Sequence, residues 1–198
     1  MLSTQSPDSN ALRQFLAAQA GKPLGYPEVG ATQGESPRGY KRDMRRWIVG
    51  QGEADFAAGI EAMRAWEMFP KGWTRVFPLV PPDEGRTFAI VIRSFGLYWV
   101  NASRIVYTVN DEGAMRRVGF AYGTLAAHAE RGEERFILEL TPDGTLWYDL
   151  SAFSRPNHWL ARLGAPLVRR LQRRFAHESR RALVAAIAAR RVPATPAS

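Results

Sequence analysis

The stretch GFAYGTLAAHAERGEERF, residues 119–136, reads as a strand, a turn and a second strand. Strand alternation puts Phe120, Tyr122 and Thr124 on one sheet face, and Gly119, Ala121 and Gly123 on the other. Three nearly bare positions on one face require something bulky close by. Either a helix packs there or a ligand cavity opens there, and close approach of the C-terminal helix with a cavity beside it fits best. Tyr122, Thr124, His128, Glu133 and Glu134 are gathered around the same turn.

Working outward, strand-like segments flank this stretch on both sides. They cover residues 74–80, 87–95, 97–109, 116–125, 134–141 and 145–152. The connections at Asp83-Glu84-Gly85, Asp111-Glu112-Gly113 and Pro142-Asp143-Gly144 are short and glycine-marked, which makes consecutive strands antiparallel neighbours. A further strand is expected at 40–49 and a helix at 53–69, where Phe56, Ile60, Met63 and Trp66 recur at helical spacing. A short amphipathic helix is expected at 11–20, capped by Asn10. The glycine- and proline-rich run 22–39 reads as an irregular extended wrap, with Tyr26, Val29 and Thr32 as anchors.

The C-terminal segment reads as a short turn or helix, then a long helix with Pro166 in its first turn. Leu167, Leu171, Phe175, Ala182 and Leu183 fall on one side of that helix, and six arginines on the other. The fold class is therefore α+β: about seven antiparallel strands curved against a long C-terminal helix, with a short N-terminal helix. Expected boundaries are an N-terminal tail and helix at 1–21 with its first ten residues disordered, one domain at 22–190, and a disordered tail at 191–198.

Composition narrows the chemistry. The chain has 198 residues and no cysteine, which excludes disulfides and thiolate chemistry and fits a reducing cytoplasm. Arg13 and Gln14 break the N-terminal apolar run, so no signal peptide is expected, and no apolar run is long enough to span a bilayer. The net charge is +8. From Arg155 onward there are ten arginines and one acid, Glu178, so all the excess lies at the C-terminal end. That arginine face could meet nucleic acid or anionic lipid. No aromatic residues interleave with it and no nucleic-acid motif accompanies it, so nucleic acid is disfavoured as a partner.

Candidate site residues follow from residue type. His128 near Glu133 and Glu134 is an acid–base arrangement, with Tyr122 and Thr124 on the adjoining strand. Arg104 and Tyr107 interrupt an apolar strand, and Arg104 paired with Asp149 would orient a polar ligand group. Ser154 and Arg155 stand at the junction before the last helices. No metal site is expected, because His128, His158 and His177 show no ligand spacing. No cofactor is expected either: the glycine-rich runs lack a phosphate-loop context.

The element order resembles the helix-grip architecture of the START and birch-pollen-allergen-like superfamily, whose members enclose apolar ligands between sheet and helix. More specifically, the chain resembles the domain-of-unknown-function family numbered nineteen-ninety, found in bacteria and plants. The resemblance rests on Tyr26-Pro-Glu-Val-Gly30-Ala-Thr32, Trp66, Trp73, Gly119–Leu125, His128, Gly132–Phe136 and Phe153-Ser-Arg-Pro156. It implies one domain over 25–187, marks Tyr122, Thr124, His128, Glu133 and Glu134 as motif positions, and assigns them no role. Phe175 stands where that family often has a tyrosine. The leading expectation is binding of a small apolar or amphipathic ligand between sheet and C-terminal helix. The alternatives are an enzyme using His128, Glu133 or Glu134, and Tyr122, or anion binding by the arginine face.

Overall fold

The structure is a computed structural model and describes residues 1–35, 37–126, 128, 130–157 and 165–191. The expected turn or short helix before Pro166, His158 and the tail beyond 191 lie outside the described residues. The elements are β1 (Leu2–Ser3), α1 (Ser9–Ala17), β2 (Lys41–Gln51), α2 (Gly52–Arg64), β3 (Thr74–Phe77), β4 (Thr87–Ser94), β5 (Leu97–Asp111), β6 (Arg116–Thr124), β7 (Glu130–Leu140), β8 (Thr145–Pro156) and α3 (Ala165–Arg191). The sheet order is β2-β8-β7-β6-β5-β4-β3, every neighbour antiparallel, with β1 added beside β5. The six-strand meander is present as expected, and the curved sheet holding α3 is a helix-grip fold.

The inner face carries Phe88, Phe120, Tyr122, Phe136, Leu138 and Tyr148, all buried. Phe136 is the hub: its ring lies 5.5 Å from Phe120, 5.8 Å from Tyr122, 6.4 Å from Tyr148 and 6.4 Å from Phe175. Offset and edge-on contacts of this kind add to the burial of each ring. Two helices cover this face. The C-terminal half of α3 buries Ala176, Ser179, Leu183 and Ile187, with Ser179 hydrogen-bonded to the Tyr148 hydroxyl at 2.8 Å. Helix α2 fills the space between that half and the sheet, burying Phe56, Gly59, Ala62 and Met63. Asp55 joins the two helices: it accepts from the Gln51 amide at 2.6 Å and pairs with Arg191 of α3. The guanidinium and the amide hold its carboxyl below the usual range despite burial.

The outer face is covered by the N-terminal segment, and this corrects three expectations. Residues 1–10 are ordered rather than free: Leu2 and Ser3 pair with Trp99 and Tyr98, and Asp8 rather than Asn10 caps α1, accepting from the Ala11 amide at 2.7 Å. Leu12 of α1 is buried against Ala89, Val91 and Val100. The wrap 22–40 then crosses behind β6, β7 and β8. It accounts for the bare position at Gly123, where a Cβ would stand 2.1 Å from the Tyr26 hydroxyl. At Gly119 a Cβ would strike the Phe136 carbonyl of β7 at 2.0 Å. The crowding therefore comes from the wrap and the neighbouring strand, not from the C-terminal helix, which lies on the opposite face.

Candidate functional site

The N-terminal half of α3 stands off the sheet and leaves a cavity of about 860 Å³. Its apolar walls come from Phe69, Ile90, Leu150, Leu171 and Phe175, and its polar groups from Tyr122, Thr124, His128, Glu130, Glu134 and Gln172. That size and mixture suit a small organic ligand.

Glu133 and Glu134 point to opposite faces because β7 begins at Glu130, so both lie within a strand rather than at its start. Glu134 faces the cavity and accepts a hydrogen bond from the Tyr122 hydroxyl across the β6–β7 pair. Burial lifts its pKa to about 7; the Tyr122 bond works against that rise, and Glu130 and Asp43 add to it. Burial, then the Glu134 charge, raises Tyr122 in turn. Glu130 is also raised by burial and accepts from the Gln172 amide of α3 at 2.8 Å. His128 accepts the Glu130 backbone N–H on Nδ1 at 3.0 Å, and burial pushes its pKa down to about 4, which leaves it neutral. Among the described residues no carboxylate is hydrogen-bonded to His128.

Glu133 works on the outer face. Its carboxylate accepts from the Tyr26 hydroxyl at 2.7 Å, the Gly30 amide at 2.8 Å, the Thr32 amide at 3.0 Å and the Thr32 hydroxyl. Four donors on one buried carboxylate clamp the wrap to the sheet. Tyr107 shares this clamp through Thr32, at 2.6 Å. It lies outside the cavity because a bulge between Ile105 and Tyr107 shifts the register and turns it to the outer face.

The remaining expected residues divide the same way. Arg104 is turned outward and holds the Ala20 and Lys22 carbonyls at 2.8 and 3.0 Å, so it does not meet Asp149, whose partner is Arg46 at 2.9 Å. Arg155 is also outward, its guanidinium 4.4 Å from the Tyr40 ring centre. Ser154 faces the cavity and accepts from Gln172 at 3.3 Å. Thr124 lines the cavity and clips β6 to Gly132 of β7, accepting from its amide at 3.0 Å. Gln172, Glu130 and Phe69 are not singled out by the sequence, which marks Phe175 only on the apolar side of the helix and as a family position. Gln172 carried the one available signal, an amide one residue after Leu171 on the helix's apolar side.

Residues 25–182 match DUF1990, a domain of unknown function. The chain belongs to this family. A UPF0548 protein of Deinococcus radiodurans is 34% identical over 94% of this chain and 98% of its own length. A UPF0548 protein of Arabidopsis thaliana is 33% identical over 74% of this chain and 73% of its own. The crystal structure of the hypothetical protein jhp0584 from Helicobacter pylori superposes with a TM-score of 0.52 at 13% identity, covering 73% of this chain and 86% of that one, a likeness of fold alone. In this DUF1990 chain the motif positions serve two faces: Tyr122, Thr124, His128 and Glu134 the cavity, Tyr26, Thr32 and Glu133 the wrap. No helix among the described residues is long and apolar enough to cross a membrane.

Proposed function

We propose that this DUF1990 protein binds a small, mainly apolar ligand in the cavity beneath the N-terminal half of α3. The carrying observation is the paired Tyr122 and Glu134 beside the aromatic and aliphatic walls of a chamber of about 860 Å³. A buried carboxyl with a pKa near 7 is held largely neutral below that pH, and a neutral carboxyl both donates and accepts a hydrogen bond. A ligand carbonyl or hydroxyl set against this pair would gain a partner on being buried, where an unpaired polar group is costly. The apolar walls favour the rest of the ligand by burial, at about 25 cal/mol per Å².

Native mass spectrometry of the purified protein and displacement of a lipophilic fluorescent probe test the reading. Expected are a saturable one-to-one probe site and a co-purifying small molecule. A protein that binds no lipophilic probe would overturn it.

An acid–base role rests on a narrower constellation than expected. Glu134 and Tyr122 favour it, since a carboxyl with a pKa near 7 is suited to proton exchange near neutrality. The neutral His128, engaged with a backbone amide, and the outward Glu133 do not contribute to it.

A further inference from the structure

The arginine face of α3 divides into a part that is engaged and a part that is not. Arg174 pairs with Glu178 at 2.8 Å and lies over Trp73, Arg190 pairs with Glu67 at 2.5 Å, and Arg191 pairs with Asp55. Arg169 and Arg173 are exposed, line the cavity, and form no ion pair among the described residues.

Their position follows from the seating of α3. The His177 ring stacks obliquely on Trp47 of β2 at 6.0 Å. Arg173 and Arg169 lie four and eight residues before His177, one and two turns along the same stripe. Lys41, Asp43 and Arg45 precede Trp47 on the same strand face. The two rows meet, because Gln172 reaches Ser154 and Ser154 is the register partner of Lys41. The β2–α3 side of the cavity thus carries Lys41, Arg45, Arg169 and Arg173 beside the carboxylate of Asp43, which sits 3.2 Å from Arg45. Glu130 and Glu134 lie deeper in the cavity, where burial raises the pKa of both, Glu134 to about 7.

We infer that the ligand is an anionic amphiphile, with a phosphate, sulfate or carboxylate head held by Lys41, Arg169 and Arg173 at the mouth and an apolar body inside the cavity. This rests on the proposed ligand-binding function and names its ligand class. A cationic rim over an apolar chamber matches such a molecule at both ends, and excludes cationic amphiphiles by repulsion. Exposed charge contacts are individually weak, so together these are expected to give roughly a tenfold preference.

The test is displacement of the neutral probe N-phenyl-1-naphthylamine by decyl phosphate, decanol and decyltrimethylammonium at low ionic strength. Decyl phosphate is expected to displace at about tenfold lower concentration than decanol, with decyltrimethylammonium weakest. Added salt should shrink that advantage. The double variant Arg169→Gln/Arg173→Gln should abolish most of it without lowering thermal stability. The double variant Arg180→Gln/Arg181→Gln, on exposed residues of the same helix away from the cavity, should keep it. Equal displacement by decyl phosphate and decanol would overturn the anionic class and leave the cavity reading standing. Equal loss in both double variants would show net charge rather than the mouth to be responsible, and would also overturn it. Failure of the probe to bind at all would bring down the cavity reading and this inference together.

Discussion

One peptide bond separates Glu133, which takes four donors behind the sheet, from Glu134, which shares the cavity with a tyrosine. Removing the first carboxylate strands buried donors, so Glu133→Ala should cost about 3 kcal/mol in chemical denaturation. Unchanged stability would deny that Glu133 clamps the wrap. Glu134 acts in the opposite sense. Its folded pKa, about 7 against an ordinary 4.5, means the folded state holds a proton that the unfolded chain releases. Stability from this group is therefore full below about pH 4.5, falls by ~1.4 kcal/mol per unit as pH rises, and levels off above 7. The stability difference between wild type and Glu134→Gln should drift toward the variant by about 3 kcal/mol across that window. Buried neutral His128 contributes a slope of the other sign in both proteins and cancels from the difference. A pH-independent difference would contradict the raised pKa. Residue types around the turn were legible as site chemistry. Their division between two faces was not, because it depends on β7 starting at Glu130, within the stretch Glu-Arg-Gly-Glu-Glu-Arg at 130–135, which carries no apolar alternation.

At the scale of elements, glycine punctuation made the meander readable, and wheel separation made α3 readable. The bulge that turns Tyr107 outward left no mark, since both faces of β5 carry mixed residues. The role of the wrap was also obscured, because irregular backbone has no period to read. It predicts its own energetic signature: Gly123→Ala would push into Tyr26 and should destabilise by about 1–3 kcal/mol, seen as a lowered melting temperature. The Tyr26→Phe variant, lacking the hydroxyl that stands 2.1 Å from the added methyl, should recover part of that loss. No interaction between the two substitutions would separate Gly123 from the wrap. The division of α3 into a seated C-terminal half and an overhanging N-terminal half was likewise invisible on the wheel. It is set by α2, which fills one half of the concavity and leaves the other open.

The whole molecule is a sheet covered on both sides by different means: two helices inside, and the N-terminal segment outside. The outer cover frees the inner face to be hollow at one end, since the sheet does not depend on α3 alone for burial. The proposed function places a ligand in this hollow. Fluorescence titration of N-phenyl-1-naphthylamine into wild type and Ala152→Trp is the decisive test. Ala152 lines the cavity on β8 opposite Glu134, so a tryptophan there fills the space. Wild type is expected to show one saturable site, and the folded variant at least about tenfold weaker binding. Identical titration curves for the two proteins would contradict it.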